Sequence, residues 1–548
     1  MKFKFLFALL TLASFAQGQS DFNEKPKLMV GIVVDQMRYE YLNRYYDTFG
    51  QGGFKRLIND GFVLENAHYN YTPTVTGPGH ASVYTGTTPS IHGIIGNDWY
   101  DKDLDKHVNC VNDPRFAPVG SSGGNGDVSP WRMRSTTVTD ELKINSQGNS
   151  KVISISWKDR GAVLPGGHAP NGAYWVDIKS TAFITSTYYQ QQLPKWLVDF
   201  NTRGLPDLYL SGVWKPIMPL AKYIQSGPDN SPYENILPGK ETPTFPYNLS
   251  ELRTKSSDFE VLYVTPFSND YITEVTLAAL SGEKLGKGQW TDFLAISYSA
   301  PDALGHAVGP NAVELQDMYI RLDKNLEHLL NKLDEQVGKG NYTVFLTADH
   351  AVAEVPQSLV DKKMPGGYLD YKKIREDLNA YLAPYYANGE VVKVISNNQL
   401  FFNYDVFDND PKSAGVQMMV ASELITQFLK KVEGIADVYS QTLINMGDYN
   451  EGGMKGMAIR GYHQKRSGDL VIIPESGYFS SSSRTGTTHG TGYSYDTHVP
   501  IIFYGMGVKK GSSSQYHSIT DIAPTVSRIL KIQFPSGTTG QPIVEILD

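Results

Sequence analysis

Between residues 293 and 346 the chain spells out a strand, a helix and a second strand. Residues 293–298 and 342–346 are short, nearly unbroken apolar runs, which is how strands buried on both faces read. The segment 312–337 between them spaces Leu315, Met318, Ile320, Leu322, Leu326, Leu329, Leu330 and Leu333 so that they share one apolar helical face. Parallel strands joined by a crossover helix are the unit of doubly wound α/β folds. Runs at 28–34, 152–157 and 499–504 extend this to five buried strands of a largely parallel sheet. The 548 residues suffice for one large α/β domain with insertions. Two regions fit the scheme poorly: 179–270, rich in Tyr, Pro and Ser, and 360–465, where helical and strand periods mix. Both are expected as insertions forming a cap on the catalytic side, with loops at 119–126 and 480–494.

Residues 1–19 predict a secretory signal peptide: Lys2 and Lys4, an apolar stretch over 5–15, and the small-x-small site Ala16-Gln17-Gly18. No later apolar run reaches the roughly 18 residues of a membrane span. The expected mature protein, 20–548, is therefore periplasmic or secreted and has no membrane partner. Cys110 is the sole cysteine, which excludes an internal disulfide and suits a structural role. The formal charge of −8, or −10 without Lys2 and Lys4, argues against a nucleic-acid partner. An anionic substrate would need locally concentrated positive charge, which metal ions supply. A monomer is compatible with the sequence, which does not set the oligomeric state.

In open α/β sheets, ligands bind beyond the carboxyl ends of the strands. Asp35 closes the first run, Asp302 and His306 follow 293–298, and Asp349-His350 follows 342–346. Asp302 and His306, four apart, share a face on a helical turn. Three carboxylates and two imidazoles need one more imidazole if two metals are each to have three ligands. His489 and His498 are both candidates. Mixed His and carboxylate ligands favour zinc, and a two-metal site would clamp both oxygens of an in-line displacement. The remaining histidines (His68, His80, His92, His107, His168, His328, His463 and His517) show no partner pattern and read as structural or surface residues.

Thr76 lies in Thr72-Pro73-Thr74-Val75-Thr76-Gly77-Pro78-Gly79-His80, where Pro78 suits a helical first turn. A hydroxyl there could be a metal-activated nucleophile at an anion-binding helix start, or only a cap; Thr72 and Thr74 compete with it. Asn97 reads equally as a turn residue or as a donor to substrate. Lys158 and Arg160, two apart, would lie on one face of an extended chain. A point charge beside a forked donor suits a dianionic phosphoryl group, though such pairs are commonly solvated.

Together these residues resemble the alkaline phosphatase superfamily, in its type I phosphodiesterase and nucleotide pyrophosphatase branch. The landmarks occur in order: Asp35, Thr-x-Thr-x-Pro-x-His at 74–80, Asp302-x-x-Gly305-His306, Thr347-Ala348-Asp349-His350 and Thr488-His489-Gly490. The resemblance implies a three-layer α/β/α sandwich with a mostly parallel central sheet and cap insertions. It also implies two zinc ions, one held by Asp302, His306 and His489, the other by Asp35, Asp349 and His350. Thr76, itself a metal contact, becomes the nucleophile, forming a phosphothreonine that water then hydrolyses. Within the branch the chain is most similar to the phosphate-irrepressible alkaline phosphatases. There, residues matching Asn97, Lys158 and Arg160 contact the non-bridging phosphoryl oxygens. The implied substrates are small-molecule phosphate monoesters. The alternative is a phosphodiesterase, nucleotide pyrophosphatase or phosphonate hydrolase using the same metals and nucleophile. A sulfatase is disfavoured, because Cys110 lies outside a Cys-x-Pro-x-Arg context.

Overall fold

The structure, a computed structural model, describes residues 25–386, 388–481 and 483–547; the leader predicted over 1–19 lies outside them. Its centre is a ten-stranded sheet. The strand order is Gly511–Ser518, Phe62–His68, Ile501–Gly505, Tyr342–Thr347, Leu28–Val34, Asp292–Tyr298, Val152–Ser156, Gly172–Val176, Phe183–Ser186 and Pro118–Val119. Every residue of Leu28–Val34 is buried, as an apolar run without alternation demands. It pairs in parallel with both neighbours, Val33 lying opposite Ser297 on one side and Thr347 on the other. Three carboxyl ends thus finish side by side.

All five predicted strands form, but Ile501–Gly505 runs antiparallel to Tyr342–Thr347 and to Phe62–His68. A strand apolar on both faces reads the same in either direction, so its sequence carries no polarity. The crossover helix spans Val313–Leu333 and buries the predicted leucine face. It ends in a π-helical turn, Asp334–Gly338. With Phe267–Gly282 it covers one face of the sheet, while Thr76–Thr85, Asp159–Gly166 and Ile522–Leu530 pack together on the other. This is the three-layer α/β/α arrangement.

Residues 179–270 add the strand Phe183–Ser186, next to last in the sheet, and short helices that end in Asp258–Tyr263. Further on, Val392–Ser396, Gln399–Phe402, Leu470–Pro474 and Ile435–Ser440 form a separate four-stranded sheet. Helices Tyr371–Leu382 and Pro411–Leu429 join it around their own core, including Leu378, Phe402, Ile425, Val438 and Leu470. Among the described residues, no helix is long and apolar enough to cross a membrane.

Candidate metal centre

Asp35, Asp349 and His350 leave the carboxyl ends of adjacent strands, and all three are wholly buried. Asp302 and His306 lie one turn apart on the next helix, Ala300–Val308. Thr76 opens the helix Thr76–Thr85 after an extended Val75. His489 comes from a loop on the far side, held because Asp496 accepts from the Gly490 and Thr491 N–H groups at 3.1 and 2.8 Å. Seven sequence-predicted residues thereby converge from five segments.

The ligand atoms of Asp302, His306 and His489 lie within 4.8 Å of one another, as do those of Asp35, Asp302 and His350. Asp349 is close by, its Oδ2 3.6 Å from His350 Nε2. Asp302 thus lies against both groups, where the resemblance divides the ligands three and three. His498 is elsewhere: its Nε2 faces the Glu65 carbonyl at 2.9 Å and its ring stacks on His68. Thr72 and Thr74 donate their hydroxyls to the carbonyls of Gly490 and Thr491. Thr76 Oγ1 instead faces Lys158 Nζ at 3.4 Å and His350 Nε2 at 3.5 Å.

The three imidazoles are oriented alike. Nδ1 of His306, His350 and His489 meets the carbonyls of Thr487, Ala351 and Thr74 at 2.8, 2.9 and 2.7 Å. A carbonyl only accepts, so each Nδ1 carries the proton and each Nε2 turns a lone pair inward. Those lone pairs face carboxylates, at 3.2 Å from His306 Nε2 to Asp302 Oδ1 and 3.4 Å from His350 Nε2 to Asp35 Oδ1. Acceptors facing acceptors repel unless a cation lies between them. Asp35 Oδ1 and Asp349 Oδ2 are in addition buried with no hydrogen-bond partner. The donor set therefore fits divalent metal, and its nitrogen and carboxylate composition suits zinc.

Lys158 supplies a protein cation at the junction, donating to Asp35 Oδ2 and Asp302 Oδ2 at 2.6 Å each. Burial alone would discharge its ammonium, but Asp302 and Asp35 outweigh burial and hold its pKa above the usual lysine value. Burial, then Asp302 and Asp349, push Asp35 well above the carboxylate range. Burial would do the same to Asp302, yet the Lys158 ammonium holds it well below. Burial, then His350 and His306, keep His489 neutral far below the ordinary histidine value. Arg160 Nε is buried without an acceptor, and Asn97 Oδ1 accepts from the Gly77 N–H at 2.7 Å.

Two contributors were not placed at the site by the sequence reading. Gln36 donates from its backbone to Asp349 Oδ1 at 3.2 Å and from Nε2 to Asp302 Oδ1 at 2.6 Å. A left-handed φ of 66° aims it there, which a glutamine after a strand does not announce. His80, expected to be structural or at the surface, is wholly buried, its Nδ1 3.3 Å from Asp349 Oδ2. Its place four residues after Thr76, one helical turn on, was the available clue.

This ligand arrangement at the carboxyl edge of an α/β/α sheet defines a class of metal-dependent phosphoryl-transfer enzymes. The family model for type I phosphodiesterase / nucleotide pyrophosphatase matches residues 29–498, and the chain belongs to that family. It is 44% identical over 529 residues to the alkaline phosphatase PafA of Elizabethkingia meningoseptica, covering 95% of both chains. The crystal structure of wild-type PafA superposes with a TM-score of 0.90, covering 96% of this chain and 100% of that one. The alkaline phosphatase PhoV of Synechococcus elongatus is also 44% identical, over 95% of this chain and 93% of its own. A Myroides odoratus relative bearing the name calcium-transporting ATPase is 42% identical, over 99% of this chain and 98% of its own.

Proposed function

We propose that this chain is an alkaline phosphatase that hydrolyses phosphate monoesters, with Thr76 as nucleophile. The observation that carries the reading is Lys158 Nζ standing 2.6 Å from carboxylates of both ligand groups and 3.4 Å from Thr76 Oγ1. Asp302, His306 and His489 would hold one zinc ion, and Asp35, Asp349 and His350 the other, with Thr76 in contact. Bound there, the metals supply Lewis-acid stabilisation of charge on the reacting oxygens.

The residues account for the rest. The Thr76 hydroxyl loses its proton and forms a P–O bond as the ester P–O bond breaks, giving phosphothreonine and an alcohol. Water then cleaves the phosphothreonine, releasing phosphate and restoring Thr76. Thr76 opens its helix, so the nucleophile lies at the positive end of the helix dipole, which favours an anion. Lys158 and Arg160, with the Asn97 amide, bind non-bridging oxygens. A monoester presents three such oxygens and close to two charges, so added cationic donors favour it over a diester. The diesterase or nucleotide pyrophosphatase alternative keeps the same metals and nucleophile but gives this cationic pair no dianion to bind. The predicted leader supports a periplasmic or secreted location.

The test compares aryl phosphate monoester and diester hydrolysis by the purified zinc-loaded enzyme. Monoester hydrolysis should dominate, chelation should abolish it, and Thr76→Ala should lower kcat by at least about a thousandfold. A large diester preference, or full turnover by Thr76→Ala, would overturn the assignment.

A further inference from the structure

A second concentration of positive charge lies behind the loop that delivers Asn97. Arg132 is only 5% exposed, and its guanidinium carbon lies 4.4 Å from the Trp131 ring centroid and 5.7 Å from that of Trp99. Arg466 approaches the same Trp99 ring to 5.4 Å. It donates to the backbone carbonyls of Arg132, at 2.8 Å, and of Gly93. A methyl group on Gly93 would meet Arg466 Nη1 at 2.7 Å and Arg134 Cγ at 3.2 Å, so both arginines flank that residue. Two guanidiniums therefore crowd one indole, and the Arg134 side chain lies beside Arg466 along the same stretch of backbone.

None has a carboxylate within ion-pair reach among the described residues. The acids that bear on them, Asp101 and Asp113, are already engaged. Asp113 pairs with Arg115 at 2.7 Å, and Asp101 Oδ1 accepts from the Asp103 and Leu104 N–H groups at 3.0 Å each. Two buried donors also lack acceptors, Arg132 Nε and Trp99 Nε1. Clustered like charge with unsatisfied buried N–H groups is costly unless a counter-ion joins it. The field is felt nearby: burial, then Arg134 and Arg132, push Arg466 down to about 10. Burial, then Arg466 and Arg134, push His463 down to about 4.

We propose that Arg132, Arg134 and Arg466 form a second anion-binding site, apart from the metal centre, for a tetrahedral oxyanion such as inorganic phosphate. Guanidinium forks match oxyanions bidentately, so the donor set selects the ligand class whatever the metal centre catalyses. The site backs residues 93–99, among which Asn97 accepts from the Gly77 N–H beside Thr76.

Equilibrium dialysis of the zinc-loaded full chain against radiolabelled inorganic phosphate counts the sites. Two phosphates per chain are expected, one of them matching the constant for competitive inhibition of turnover. Arg134→Gln and Arg466→Lys should each weaken the other about tenfold or more, leaving the inhibition constant unchanged. Arg134 is exposed and, among the described residues, makes no side-chain hydrogen bond, so its variant keeps the fold. A single phosphate per chain, or two whose affinities ignore both variants, would overturn the proposal. Failure of the catalytic assignment would instead remove the inhibition while leaving the arginine-dependent phosphate in place.

Discussion

Lys158 does at residue scale what the rest of the site cannot. The carboxylates around it only accept, and Lys158 brings a full positive charge that donates to Asp35 and Asp302 at once. Arg160, two residues on, keeps a buried Nε without an acceptor, as a side chain waiting for an anion would. Lys158→Ala should lower monoester kcat/KM by about 10²–10³, the cost of one donor to developing negative charge in a dry site. Diester hydrolysis should fall far less, because a diester carries one charge fewer. Equal losses for both substrates would mean Lys158 supports the metal ligands rather than recognising the dianion. Most of these residues were legible because a strand end exposes whatever follows it. Gln36 and His80 were not: the first depends on a left-handed backbone turn, the second on a helix whose facing neighbour is distant in sequence.

At the scale of elements, the helix Thr76–Thr85 is where position and chemistry meet. It lies so close to the end of strand Tyr342–Thr347 that a Cβ on Gly79 would stand 2.1 Å from the Asp349 carbonyl oxygen. Backbone cannot swing aside as a side chain can, so Gly79→Ala must push the helix off the strand end and carry Thr76 with it. Displacements of an ångström at a reacting atom cost about a hundredfold, and overpacking costs about 1–3 kcal/mol. The expected variant is folded, melts lower, and loses kcat by about that hundredfold factor; near-normal turnover would show that the helix tolerates the shift. Elements buried on both faces were the readable ones. Val392–Ser396 and Ile435–Ser440 are only partly buried, so their residues follow no clean period and the four-stranded sheet stayed hidden in a region of mixed signals.

Across the whole molecule, the insertion over 179–270 is joined to the central layers through buried acids. Glu314 starts the crossover helix and is 0% exposed; Glu234, in the insertion, is 5% exposed. Tyr247 donates its hydroxyl to Glu314 Oε1 at 2.7 Å, while Oε2 of both glutamates is buried without a partner. Burial, then the charge of Glu314, push Glu234 up to about 9, and burial raises Glu314 to about 7. A carboxyl whose pKa is raised on folding favours the folded state while protonated. That contribution is whole below the ordinary glutamate value and is lost as pH rises through about 7 and about 9. The seam between insertion and sheet should therefore weaken in the alkaline range proposed for catalysis. Glu234→Gln and Glu314→Gln fix the neutral form, so each should raise Tm at alkaline pH by about 2 °C or more and change it little at mildly acidic pH. Thermal melts across that range decide the matter, and a Tm offset independent of pH would show that the two glutamates are ionised, and solvated, throughout.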